Sequence, residues 1–112
     1  MVEELLKELR AFRDERDWAK FHTPKDLAVS VSIEAAELLE LFQWRHDGHN
    51  VEGLNVRHVA EEAADVVIYA LLLFDRLGLD PSHEVLEKIR HNAQRFPVDK
   101  SFGIPSAFTK RA

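Results

Sequence analysis

Apolar residues recur along this chain at helical intervals, and no stretch alternates as a strand would. Val2, Leu5, Leu6, Leu9 and Phe12 form one stripe with charges between them, the mark of an amphipathic helix over about residues 2–20. Thr23-Pro24 reads as an N-cap followed by proline at the first helical position. It opens a second helix to about Arg45, with Leu27, Val31, Leu38 and Phe42 on its apolar side. His46-Asp47-Gly48-His49-Asn50 and Gly53 mark a polar loop. A third helix is expected over about 56–77, stopped by Gly78 at the C′ position. Asp80-Pro81 repeats the cap-then-proline signature and starts a fourth, which ends near Arg95 because Phe96-Pro97 follows. From about 97 to 112, Pro, Gly and Ser suggest an extended tail. The expected fold class is all-α: a four-helix bundle-type protomer forming one domain over 1–112.

Residues 66–74 of the third helix are apolar on every side. A helix of that kind must be covered all round, which three companions in a small bundle would struggle to do. A second subunit is therefore expected to pack on it, giving at least a dimer and plausibly a tetramer. The run is far shorter than the roughly 20 residues that span a bilayer. The acidic, amphipathic start does not resemble a signal peptide, so a cytoplasmic protein with no membrane partner is expected.

Composition narrows the chemistry. The chain has 112 residues and no Cys, which removes disulfide scaffolds, thiolate zinc sites and cysteine nucleophiles. Its net charge of −5 argues against a nucleic acid polymer as partner, since that calls for a basic face. Excess negative charge can instead be gathered where a cation sits.

Helices two and three carry such a gathering. Glu34 and Glu37 are i,i+3 neighbours, and so are Glu62 and Asp65; residues three apart share a helix face. On a helical wheel Glu34 projects between Leu27 and Leu41, and Glu37 between Leu41 and Trp44. Both sit within or beside the apolar sector, where a charge is costly unless compensated. Glu40 points away. Tyr69 falls between Glu62 and Asp65, and His58 joins their stripe. If the two helices pack antiparallel, four carboxylates converge and repel, and a divalent cation would neutralise them. Carboxylate oxygens suit Mg²⁺ or Mn²⁺. A solvated helix face gives the same spacing, so the pattern alone leaves both readings open. A di-iron bundle is excluded, because none of the six histidines follows a Glu by three residues.

Glu34-x-x-Glu37, a gap of 24 residues and Glu62-x-x-Asp65 resemble the signature of the MazG-like nucleoside triphosphate pyrophosphohydrolases of the all-α NTP pyrophosphatase superfamily. The flanks are similar to the dCTP pyrophosphatase branch. They are Glu15-Arg16-Asp17-Trp18-Ala19-Lys20-Phe21-His22, Glu37 to Trp44, Asp65-Val66-Val67-Ile68-Tyr69, and Lys88-x-x-x-Asn92-x-x-Arg95-Phe96-Pro97. The likeness covers about residues 10–100; Ala35-Ala36 and Ala63-Ala64 depart from residues found in some relatives.

The resemblance implies Mg²⁺-dependent hydrolysis of a nucleoside triphosphate between the α and β phosphates, with Mn²⁺ as a possible substitute. The implied substrate is dCTP or a 5-modified form, and the implied role is clearing surplus or non-standard nucleotides. Glu34, Glu37, Glu62 and Asp65 would serve as the catalytic, metal-holding set. Trp18, Trp44 and Tyr69 would line a base pocket, with His22 bonding base or sugar. Lys88 and Asn92, and less strongly Arg95, would stand near the phosphates. A nucleotide sensor without turnover, or a structural module with acidic faces, are the rival readings.

Overall fold

In a computed structural model the described residues are 1–104, and the regular structure among them is entirely helical. The elements are α1 (Val2–Glu15), a single 3₁₀ turn (Ala19–Phe21), α2 (Pro24–Glu40), α3 (Val56–Arg76), α4 (Pro81–Arg95) and α5 (Val98–Ser101). They fall into two compact units, Met1–Leu79 and a second beginning at Asp80.

The caps expected at Thr23 and Asp80 are present, and Asn55 adds a third at the start of α3. Thr23 Oγ1 accepts from the Asp26 N–H at 3.1 Å, Asn55 Oδ1 from the His58 N–H at 3.1 Å and Asp80 Oδ1 from the Ser82 N–H at 3.0 Å. Each satisfies a donor that the helix itself leaves orphaned. Gly78, at φ 71°, closes α3: its N–H reaches the Asp75 carbonyl, and the Leu79 N–H reaches that of Phe74. These are the paired bonds of a Schellman motif.

Two helices end earlier than the hydrophobic stripes suggest. The same motif stops α1 at Glu15 rather than near 20. Asp17 takes the left-handed conformation at φ 54°, its N–H bonds the Asp14 carbonyl, and the Trp18 N–H bonds that of Arg13. Aspartate tolerates this region better than most residues, and Lys20 Nζ lies 2.8 Å from Asp17 Oδ2. The α2 helix stops at Glu40 rather than Arg45, its chain tightening into i→i−3 bonds at Leu41, Phe42 and Arg45. The Arg45 guanidinium then donates to the carbonyls of Asn50 and Glu52, which pins the following loop. The expected tail holds the short helix α5 over its first part; residues 105–112 lie outside the described region.

In the first unit α2 and α3 make the main packing contact and α1 lies along α3. The pairing of α2 and α3 is antiparallel, for Ala28 and Val31 share a cavity with Ala70, Phe74 and Leu77 while Glu34 meets Glu62 and Asp65. Leu6, Leu27, Leu71 and Leu72 are the buried side chains of this unit. Charge completes the seam between α1 and α3. Arg10 donates to Asp75 Oδ1 from Nε and Nη2 at 2.9 and 2.7 Å, and Arg13 Nη1 donates to Oδ2 at 2.9 Å. The hydrogen bonds from Arg10, joined by those from Arg13, hold the Asp75 carboxyl below the usual carboxylate range despite its partial burial.

In the second unit Val85, Leu86 and Ile89 of α4 are about half exposed. No helix among the described residues is long and apolar enough to cross a membrane.

Candidate functional site

Glu34, on the α3-facing side of α2, meets Glu62 and Asp65 of α3. One carboxylate oxygen from each of the three lies within 4.8 Å of the other two. All three side chains are half-buried, whereas Glu37 is exposed. Glu37, one turn after Glu34 on α2, thus stands beside this cluster rather than as an equal fourth corner.

The electrostatics are those of a site short of positive charge. The Glu34 carboxyl is pushed up to about 7, first by the hydrogen bond with Glu37, then by burial and by the charges of Glu37, Asp65 and Glu62. Glu34 Oε2 and Glu62 Oε2 are buried atoms with no hydrogen-bond partner. A buried carboxylate oxygen without a donor is costly, and a cation held by this cluster would offset that cost. Oxygen donors of this type fit a hard divalent ion. The residues present therefore fit a divalent metal.

An apolar cavity of about 150 Å³ lies in the same unit, lined by Leu9, Phe12, Arg13, Trp18, His22, Ile68, Tyr69 and Leu72. The 3₁₀ turn explains why Trp18 and His22 meet there: they bracket it as its N-cap and C-cap. They converge through the turn that replaces the last part of the expected first helix. Trp18 packs edge-to-face on Phe12, with ring centroids 5.7 Å apart, and the Arg16 guanidinium covers the Phe12 ring at 3.8 Å. Within the half-buried His22 the Nδ1 atom is buried and unpartnered. Burial, and then the charge of Arg13, lower its pKa, so the ring is favoured as a neutral imidazole able to accept or donate one bond.

Tyr69 lines this cavity one turn beyond Asp65, which joins cavity and carboxylates along α3. Trp44, by contrast, is 82% exposed in the turn after α2 and does not line the Trp18 cavity. The early end of α2 takes it off the Glu37 stripe. Lys88, Asn92 and Arg95 share a stripe of α4 in the second unit. Lys88 is exposed, Asn92 and Arg95 are half-buried, and the Arg95 guanidinium lies 5.0 Å from the Phe96 ring centre. His46, His49, His83 and His91 are exposed.

The hydrophobic pattern did not mark Arg13 and Leu9 as cavity walls. One signal was available: Asp75 breaks the apolar run one turn after Leu71 and Leu72 and requires cationic partners.

With this geometry in hand, comparison with known proteins is informative. The MazG-like family model matches residues 29–110. The chain is 37% identical over 102 residues to dCTP pyrophosphatase 1 of Rattus norvegicus, covering 88% of this chain and 60% of that protein. It is 41% identical over 91 residues to the Homo sapiens protein of the same name, covering 78% and 54%. The chain thus spans a little over half the length of these curated relatives. Among solved structures, a pyrophosphatase from Archaeoglobus fulgidus superposes with a TM-score of 0.80 at 47% identity, over 86% of this chain and 92% of that one. The matched span contains both carboxylate pairs, and the chain belongs to the MazG-like family.

Proposed function

We propose that this protein hydrolyses nucleoside triphosphates between the α and β phosphates, releasing a monophosphate and pyrophosphate, with deoxycytidine triphosphate or a 5-modified form as the leading substrate. The observation that carries this reading is that α3 contributes both to a three-carboxylate cluster having two orphaned buried oxygens and to an apolar cavity walled by Trp18, His22 and Tyr69. Relatives named as dCTP pyrophosphatases support the choice of base.

Glu34, Glu62 and Asp65, with Glu37 beside them, would hold Mg²⁺ or Mn²⁺. Such an ion supplies charge neutralisation at the phosphates and lets an acidic site accept an anionic substrate. The other parts come from the chain. Trp18 and Tyr69 offer faces for base stacking, and His22 Nδ1 offers one directional bond in a mainly apolar pocket, the kind of contact that discriminates between bases. Lys88, Asn92 and Arg95 are assigned to the phosphates. Trp44 is assigned to the base through a second copy of the chain, since its own protomer leaves it exposed. The hydrolysis consumes one water, whose oxygen bonds phosphorus as the anhydride bond breaks, and pyrophosphate departs. Nucleotide pool clearance is the role this chemistry implies.

A homo-oligomer belongs to the same reading. Ile33, Leu39 and Val67 are each more than half exposed in the protomer, apolar area that a second copy would take out of water. Sedimentation equilibrium is expected to give at least twice the protomer mass, and a monomer at micromolar concentration would remove this part of the proposal.

The activity is tested by pyrophosphate release from a panel of canonical and modified nucleotides, with Mg²⁺ and with EDTA. Mg²⁺-dependent release favouring cytosine nucleotides is expected. Equal release from every triphosphate would discard the base assignment and keep the reaction. No turnover, with a melting point still raised by Mg²⁺ and nucleotide, would make the protein a sensor.

A further inference from the structure

We propose that His58 is a positioning residue that aims Glu62 at the cation; this rests on the metal reading given above. His58 lies one turn before Glu62 on α3, and its Nε2 is 3.2 Å from Glu62 Oε1. An ionised carboxylate only accepts, so Nε2 carries the proton of this bond. The two oxygens of Glu62 thereby have separate environments. Oε1 is held by His58, and Oε2 is the buried atom without a partner, in the residue that clusters with Glu34 and Asp65. His58 is 46% exposed against 17% for Glu62 and is not part of that cluster. It therefore acts through Glu62 and not as a ligand.

The turn that bears His58 is itself fixed, because its backbone N–H is the one capped by Asn55 Oδ1. A cap, an imidazole and a carboxylate follow one another along one helix edge, so Glu62 is oriented by local structure laid down at the start of α3. Partners of this outer kind that orient a ligand typically change metal affinity by about 10- to 100-fold when removed. The half-exposed position of His58 puts the expected effect near the lower end.

The test is Mn²⁺ binding to the full-length protein, read by electron paramagnetic resonance without nucleotide, in wild type, His58→Ala and His58→Gln. Glutamine keeps an N–H donor on a side chain of similar reach. The melting temperature of each in EDTA reports folding separately. His58→Ala is expected to bind Mn²⁺ about 10-fold more weakly with its metal-free melting temperature within 2–3 °C (about) of wild type, and His58→Gln to recover most of the affinity. Equal affinity in all three overturns the proposal. So does a loss in His58→Gln as large as in His58→Ala, which would make the imidazole a direct ligand. A metal-free melting temperature that falls in step with affinity would make the role one of folding and also overturn it. Absence of Mn²⁺ binding by the wild type would overturn the metal reading itself, a failure distinct from the others.

Discussion

Replacing Glu34 by Gln is expected to lower kcat for pyrophosphate release by about 100- to 1000-fold, the scale set by removing one group that organises transition-state charge, while making the metal-free protein more stable at neutral pH. Both halves follow from one position. Glu34 brings a charge from α2 to the pair on α3, so its amide leaves a divalent ion with one anionic ligand fewer. Without an ion the same charge is a liability, since its carboxyl is pushed up to about 7.

The sign of the pH dependence follows from that shift. The ordinary value is 4.5, so between about 4.5 and about 7 the folded protein keeps a proton that the unfolded chain has lost. Stability contributed by this group is fully present below 4.5 and is lost as pH rises toward 7. In EDTA the wild-type melting temperature should therefore fall from pH 5 to pH 7.5, and the fall should shrink in Glu34→Gln. Added Mg²⁺ should reverse it in the wild type by mass action. Differential scanning fluorimetry across that range checks the stability claim, and a pyrophosphate assay checks the kinetic one. An active Glu34→Gln protein with an unchanged pH profile would dismantle the assignment.

Trp18→Ala is expected to reduce kcat/KM for dCTP by about 10- to 100-fold, mostly through KM, because stacking of a base on an aromatic face is worth about 1–3 kcal/mol. The indole is held in place before any base arrives, by its edge-to-face contact with Phe12 and by the backbone bond to Arg13 that fixes its Cα. Trp18→Phe should retain part of the affinity, having a smaller face at the same place. Steady-state kinetics on dCTP separate the outcomes. A loss confined to kcat would move Trp18 away from the base and toward the reacting phosphates.

The elements most legible in the sequence were those with local causes. Thr23 and Asp80 act within three residues of themselves, and Gly78 stops α3 through its own φ, so each leaves a readable trace. The carboxylate pairs were legible for a related reason: i,i+3 spacing fixes a face whatever packs on it. The ends of α1 and α2 were not, because each is closed by a residue that also suits a helix interior or its flank. Asp17 carries no glycine-like signal, and the chain after Glu40 is held by Arg45 through carbonyls five and seven positions away. Part of the cavity wall was obscured similarly. Arg13 reads as a solvated charge until Asp75, 62 positions away, is seen to hold it.

The α3 helix also serves as a ruler. Tyr69 and Leu72 follow Asp65 by four and seven residues on one uninterrupted helix, which at about 1.5 Å per residue sets them about 6 and 10 Å further along its axis. The interval between the acidic end and the apolar end is thus fixed by helical rise and not by any loop. Substitutions can repaint either end, but a change in that interval requires inserting or deleting residues within α3, which would rotate every later side chain by about 100° per residue. Variation along this helix is consequently free to alter which group is read, and poorly able to alter the length that is measured.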